Sequence, residues 1–453
     1  MWPMDAGLRA RRWLGGCLLA AALALTLVGC EVAVLPAATA EPTTAAEAPV
    51  AVAASQTPTP PPSPTPSPTA TATAVFTPTV TLTATATPTA TPTQAVRAIS
   101  MSIAYGGNTY SKAISAADAA GLVTYGPTGA ILPNEQAVKA VVDAFAKQHE
   151  RPAKNASFRW NASSGAATVV TQAQTGVQVD EAETVKRLDQ ALTYAGPDVF
   201  QAAYTLTQPE YTASNPPQFG KTVLATVNHY YNRAEPSGQN QEIGVRYLDG
   251  AIVLPGDVFS YDSYVFRQGI GVYKDSVVNA GSRNVLAPGG GLCSLATITF
   301  QAAFMSGMEI VERHPHLYWI TSYALTFRGV TYRGLDATTG NIRWRNTTGQ
   351  PVRIHAWADG SQSHFQIVGT SPGWTVRVTS YSDTNFIPAP TTVETFYDAT
   401  RPVGFFEVLR DPHDGRDVKV VRSVSKGSTV VRRDTFVSHY QALGKQILIG
   451  TKK

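Results

Sequence analysis

The sequence predicts a multidomain α+β protein carried on an unstructured stalk. Three observations support this. Residues 36–94 are almost wholly Ala, Thr, Pro, Ser and Val, with no helical or strand period. Such a segment buries too little apolar surface to offset the entropy of ordering it. From about Arg97 onward, helical and strand periods alternate. Beyond Gly373 only strand-like alternation remains, so the end of the chain is expected to be β-rich.

At the N-terminus, Arg9, Arg11 and Arg12 precede an apolar run from Leu14 to Val28. The run is too short for a comfortable membrane span and has the layout of a signal peptide. Leu27-Val28-Gly29-Cys30 places small residues before a cysteine, as in a bacterial lipoprotein signal. Residues 1–29 are therefore expected to be removed and Cys30 lipidated; an uncleaved N-terminal anchor is the alternative. Either way the rest of the chain is extracytoplasmic and membrane-anchored at the cell surface. Cleavage removes three arginines and Asp5, which lowers the formal net charge of +4 by two. That balance is too mild for a nucleic-acid partner. The Ala/Thr/Pro-rich stalk, residues 30–96, should be extended, at roughly 3 Å per residue where it is polyproline-like. Its threonines suit O-linked sugars.

Residues 97–210 read as a small α+β domain. Ile99 to Ile103 alternates like a strand. Glu135 to Lys147 places Val138, Val141, Val142 and Phe145 at helical spacing. Phe158–Trp160 and Ala167–Thr171 suggest a strand pair. Glu181 to Leu192 carries Val185, Leu188 and Leu192 on one face, with Asp180 as its N-cap. Val199 to Leu206 returns as a strand. Through Thr175-Gly176-Val177-Gln178-Val179-Asp180, this region resembles the peptidoglycan-binding domain that precedes VanW domains in bacterial wall proteins. Pro209 to Gly220, with Pro216-Pro217, reads as a linker.

Cys293 is the residue with the clearest chemistry. With Cys17 in the signal and Cys30 acylated, it has no disulfide partner, which in an exported protein points to a reactive thiol. The alternative is a buried cysteine acting as a small hydrophobe. It follows Gly289-Gly290-Gly291, a run able to take positive φ and let a ligand approach, and it precedes a helix with Leu295, Ile298, Ala302 and Met305 on one face. Gly307 is the expected C-cap. A helix N-terminus favours a thiolate and offers N–H groups to an oxyanion. A thiol nucleophile needs a base and the base an orienting group. Val311 to Ile320 reads as extended, so His314 and His316 should lie side by side on one face. One would serve as base and Asp336 would orient it. Structural hydrogen bonds for these histidines, and a turn cap for Asp336, are the bland alternatives. Zinc held by Cys293, His314, His316 and a carboxylate is a further alternative, with no other cofactor implied. Tyr323, Arg328 and Arg333 suit a groove for an acidic peptide.

The same region, residues 221–360, contains Pro255-Gly256-Asp257-Val258-Phe259-Ser260, the Gly289–Cys293 run, Val311-Glu312-Arg313-His314-Pro315-His316, Gly334-Leu335-Asp336-Ala337-Thr338 and Arg343-Trp344-Arg345-Asn346-Thr347-Thr348. These five motifs in this order resemble a VanW domain, a family whose name links it to vancomycin-resistance gene clusters. The family usually carries Gln directly after the cysteine, where this chain has Ser294, and Ser after the second histidine, where it has Leu317. The resemblance implies a site built on Cys293, His314, His316 and Asp336. Gly289, Gly290, Gly291, Ser294, Arg313 and Tyr323 are expected as substrate contacts. Residues 373–453 are similar to a five-glycine module of secreted wall and biofilm proteins, through the neighbourhoods of Gly404, Thr435 and Ile449-Gly450. The expected function is a surface lipoprotein that binds or acts on peptidoglycan, with Cys293 as nucleophile toward a stem-peptide amide in a hydrolase or transpeptidase-like reaction. The alternative is a non-catalytic wall-binding scaffold with a structural Cys293.

Overall fold

A computed structural model describes residues 95–193, 196–281 and 283–453. The signal segment, Cys30 and the stalk to residue 94 lie outside the described residues. Among the described residues, no helix is long and apolar enough to cross a membrane. The fold is mixed, with strands outweighing helices.

The first sheet is built on Ile99–Tyr105, whose residues are buried alternately, as the period of a strand requires. It pairs antiparallel with Asn108–Ile114 and parallel with Val199–Gln201. Two helices cover it. Glu135–His149 starts from Asn134, whose side chain accepts from the Ala137 N–H at 3.2 Å. Glu181–Leu192 starts from Asp180, which accepts from the Glu183 N–H at 2.9 Å. The strand expected over Val199–Leu206 is two strands. The chain turns at Ala202-Ala203, where Thr184 Oγ1 accepts from the Ala203 N–H, and Tyr204–Thr207 then pairs with Gly176–Val179.

The hairpin of Ser157–Asn161 and Ala166–Thr171 faces the central region rather than this sheet. Phe158 shares a small core with Ile252 and Leu254, and the Trp160 N–H donates to the Gly250 carbonyl at 2.7 Å. Tyr211 and Phe219 pack against the same core. The proline-rich segment read as a linker is therefore held down by apolar contacts that its Pro-Pro pair does not advertise.

The central sheet runs Thr222–Tyr230, Gln362–Gly369, Val352–Ala358, Ile252–Val253, all antiparallel. The helices Pro236–Leu248 and Leu292–Met305 pack on it. The second helix is buried from Ser294 through Phe304. The single apolar stripe expected for it is corrected here: the helix is enclosed on every side, and Thr297, Thr299 and Gln301 also face inward. A small sheet of Val258–Ser260, Arg343–Arg345 and Glu309–Glu312 completes this part. The extended segment expected to reach Ile320 ends as a strand at Glu312. Pro315 lacks the N–H that pairing needs.

At the C-terminus, Trp374–Ile387, Gly415–Lys426 and Thr429–Tyr440 form one sheet. The last two strands join through Gly427-Ser428, with Gly427 at φ +57°. Lys445–Lys452 lies between Val393–Pro402, to which it is parallel, and Phe406–Arg410. Val420, Val424, Phe436 and Tyr440 belong to one core with Phe300 and Phe304 of the buried helix. Arg422, fully buried, donates to the carbonyls of Phe304 (2.8 Å) and Met308 (2.7 Å) and, through Nε, to Asp434 (2.8 Å). It supplies donors and positive charge at the helix end where carbonyls lack partners.

Candidate functional site

The helix that bears Cys293 begins after Gly291, which has φ +95°. A Cβ at Gly291 would lie 2.3 Å from the Ser237 carbonyl oxygen, and one at Gly290 would lie 2.6 Å from that of Val277. Asn240 fastens the turn by donating to the Gly290 and Lys274 carbonyls, both at 2.9 Å. The glycines expected to admit a ligand thus admit the protein's own backbone. Gly289, at φ +101°, packs against the Ile270 side chain.

Cys293 is a free thiol at the second position of the helix, half-buried. Its pKa is raised, first by burial. Backbone and hydroxyl hydrogen bonds from Thr339 act against this, and the Asp336 and Asp262 carboxylates add to the rise. The expected thiolate is therefore replaced by a neutral thiol at neutral pH, because burial and two negative charges outweigh the donors at the helix start. Tyr261 donates to the Leu292 carbonyl at 2.8 Å. The Tyr261 and Tyr323 phenols are both raised by burial and next by Cys293.

The inward polar residues of the helix position the site. Thr297 Oγ1 donates to the Ala337 carbonyl (3.0 Å) and accepts from its N–H (3.1 Å). Gln301 donates to the carbonyls of Leu335 (3.0 Å) and Tyr323 (2.9 Å). These bonds hold the loop with Asp336 and Thr339, and the turn with Tyr323, against the helix that carries Cys293.

Asp336 is fully buried and pairs with Arg313 at 3.0 Å. Arg313 also donates to the Asp336, Gly334 and Val437 carbonyls and to Ser438 Oγ, with its guanidinium over the Phe300 ring. Arg313 is an internal clamp, a correction to its expected role as a substrate contact. Arg328 donates to the Val376 carbonyl and Arg333 pairs with Asp383, so both bind the C-terminal sheet.

The two histidines part company at Pro315. His316 is buried, its backbone N–H 3.5 Å from Asp336 Oδ1, its ring edge-on to Tyr318 and Tyr323. Burial lowers its pKa; Asp336 partly offsets this and His413 adds to it. The His314 side chain is 53% exposed and its Nε2 lies 3.0 Å from Glu312. The expected side-by-side pair does not form, since residues 313–316 are not in a strand. Among the described residues, neither imidazole hydrogen-bonds the Cys293 sulfur, and no group of three His, Cys, Asp or Glu is spaced to hold a metal. The zinc alternative has no ligand set here.

Three further residues join the cluster. His229, on the strand Thr222–Tyr230, places Nδ1 3.2 Å from Ser294 Oγ and stacks on Tyr323 at 5.5 Å. Burial lowers its pKa to about 4, against a contribution from Gln301. Ser294, expected to face substrate, is buried against this ring. A signal for His229 was present: it continues the buried alternation of Ala225 and Val227. His413 stacks on Tyr318 at 4.3 Å. Asp262, next to Tyr261, has its pKa raised to about 6, by burial first and then Glu312, with His314 opposing. Unsatisfied polar atoms concentrate here. His229 Nε2, Gln301 Oε1, Asp336 Oδ2 and the Tyr440 hydroxyl are buried without a hydrogen-bond partner. His316 Nδ1 and Asp262 Oδ1 are buried without a partner. Native interiors leave few such atoms, and they gather where chemistry is done.

Residues 237–368, which span the Cys293 turn, both histidines of the 314–316 segment and Asp336, match the family described as VanW like protein. The chain carries a VanW domain. Residues 107–201, ahead of it, match the family titled "Putative peptidoglycan binding domain". YoaR of Bacillus subtilis (strain 168), described as uncharacterized, is 27% identical over 135 residues, 28% of this chain and 41% of YoaR. The chain thus spans less than half the length of that relative. Among solved structures, the G5 domain of an IgA1 protease is 22% identical, covering 18% of this chain and 92% of its own, with a TM-score of 0.11. An L,D-transpeptidase mutant of Enterococcus faecium is 12% identical, covering 42% of this chain and 71% of its own, with a TM-score of 0.18.

Proposed function

We propose that this protein is cell-wall-associated, binds peptidoglycan through the region around residues 107–201, and performs thiol-dependent amide chemistry at Cys293 in its VanW domain. The matched peptidoglycan-binding family supports the first part. The observation that carries the second is the gathering of unsatisfied polar atoms and shifted groups around one free thiol. In the reaction, the Cys293 sulfur attacks the carbonyl carbon of a stem-peptide amide as its proton passes to neutral His316. That proton moves to the leaving amine as the C–N bond breaks. Water or a second amine then attacks the thioester and releases Cys293. His316, kept neutral by burial, has a lone pair available at neutral pH, and the Asp336 carboxylate favours the imidazolium that would form. Cys30 would tether the chain to the membrane by a lipid.

A second reading, a wall-binding scaffold with a structural Cys293, is favoured by the raised thiol pKa and by Thr339 rather than an imidazole as its partner. The two separate in one experiment. Intact sacculi are incubated with the protein and their muropeptides profiled. Thiol chemistry requires a changed profile that Cys293→Ser and His316→Gln abolish while sacculus binding persists. An unchanged profile with binding intact leaves the scaffold. Membrane fractionation of Cys30→Ala tests the tether: release is expected, and retention would favour an uncleaved anchor.

A further inference from the structure

The sheet of Trp374–Ile387, Gly415–Lys426 and Thr429–Tyr440 has two unlike faces. One carries Val420, Val424 and Phe436 into the core beside Phe300 and Phe304. Directly paired residues point to the same side, so the register defines the other face as well. One row across it is Arg377, Ser423, Arg433; the next is Ser380, Val421, Thr435; the third is Ser382, Lys419, Val437. Both arginines, Lys419, both outer serines and Thr435 are exposed, and Val437 is 60% exposed.

The two faces treat their cations differently. On the covered side, Arg422 pairs with Asp434, Arg416 pairs with Asp383, and Arg432 donates to the Gly307 carbonyl. On the open side, Arg377, Lys419 and Arg433 have no hydrogen-bond or ion-pair partner among the described residues. The carboxylate of that face, Asp417, already accepts from the Asn385 amide and lies against His439. Strand spacing sets the two arginine Cα atoms about 10 Å apart across the sheet, with Lys419 about 13 Å from their row along the strand.

Three cations held on one side of a rigid sheet, without an internal anion, repel one another and attract a partner of opposite charge. Their separation suits a chain whose charges are spaced, and a guanidinium fork holds two oxygens of one phosphate. Between the charges lie the Ser380, Ser382 and Thr435 hydroxyls and the Val421 and Val437 side chains, which match the hydroxyls and carbons of a polyol. We propose that this face binds a polyol-phosphate chain laid across the strands, with Arg377, Arg433 and Lys419 on successive phosphates. This adds a second wall polymer to the peptidoglycan reading and is independent of the chemistry at Cys293.

The test is fluorescence anisotropy of a labelled glycerol-phosphate oligomer titrated with the full chain. Binding should saturate at low salt and weaken about tenfold or more between about 50 and 200 mM NaCl, as three phosphate contacts require. The triple variant Arg377→Gln, Lys419→Gln, Arg433→Gln should bind at least about tenfold more weakly. Its thermal midpoint should not change, because all three side chains are exposed. Arg433→Gln alone, a milder change, should weaken binding in the same direction. Equal binding of phosphate-free polyglycerol overturns the proposal, as does wild-type affinity in the triple variant or binding indifferent to salt. So does no binding at about 50 mM salt, or tighter binding of phosphatidylglycerol vesicles or of a thymidine oligonucleotide of equal charge. Sacculi stripped of anionic polymers should still bind, through the region around residues 107–201. If they bind while the oligomer does not, this face fails and the wall reading survives. If stripped sacculi do not bind, the peptidoglycan reading itself fails.

Discussion

Burial and two carboxylates push the Cys293 pKa in one direction, and two hydrogen bonds from Thr339 push in the other. The balance can be moved one residue at a time. In iodoacetamide labelling across pH, the half-maximal rate for wild type should come above the ordinary thiol range. Asp262→Asn removes a negative charge near the sulfur and should shift the profile to lower pH. Thr339→Val removes the hydroxyl hydrogen bond and should shift it higher. Identical profiles in all three proteins would mean that neither group acts on the thiol. Arg313 poses a different question, since its guanidinium is buried against a buried Asp336. Breaking such a pair typically costs about 3–5 kcal/mol. Arg313→Ala should therefore lower stability in urea by about that much, whereas a substrate-contact role predicts a loss near zero.

The turn and the helix behind it depend on glycine for two separable reasons. Gly291 needs both a positive φ and room, because the Ser237 carbonyl sits where its Cβ would be. Gly256 needs only the φ of +81°, since nothing lies within 4 Å. Gly256→Ala should cost about 1–3 kcal/mol from backbone strain alone. Gly291→Ala should cost clearly more, because the backbone of the Pro236–Leu248 helix must move. Denaturation midpoints of the two variants compare them directly, and equal losses would refute the packing argument. The other end of the Cys293 helix is bound by Arg422, so the C-terminal sheet secures the helix as well as its own strands.

Taken together, the buried ionisable groups make stability depend on pH. His229 has a folded pKa of about 4 against an ordinary 6.5. Between those values the unfolded chain binds the proton and the folded one does not. Its contribution is therefore full above about pH 6.5 and is lost as pH falls toward 4. His316 and His413 are lowered too and act in the same sense. Asp262 acts oppositely: its folded pKa of about 6 lies above the ordinary 3.8, so it adds stability as pH falls through that window. His149 is lowered as well, while Asp189 and Asp257 are raised like Asp262, so four imidazoles oppose three carboxylates. A net acid loss between about pH 6.5 and 4 is predicted, led by His229, which alone is worth on the order of 2–3 kcal/mol. Urea melts across this range should show His229→Gln flattening the slope and Asp262→Asn steepening it. A flat wild-type profile would contradict the burial assigned to these imidazoles.

What the amino-acid order could declare was local. Asp180 three residues before the Glu183 N–H, a Gly run before an apolar helix and Gly427-Ser428 between two alternating segments each specify geometry through neighbours a few residues away. The position of Cys293 at a helix start was legible for that reason. Its protonation state was not, because it depends on Thr339, Asp336 and Asp262, brought to the sulfur from other parts of the chain. Strand spacing alone put His314 and His316 on one face; Pro315 and the buried Asp336 separated them into an exposed and a buried group. His229 meets Ser294 across 65 positions, and Arg422 reaches the Phe304 carbonyl across 118. Such partners are chosen by how sheets and helices close over one core. Burial and charge at a site are sums over every segment that surrounds it, and the fold alone assembles those segments.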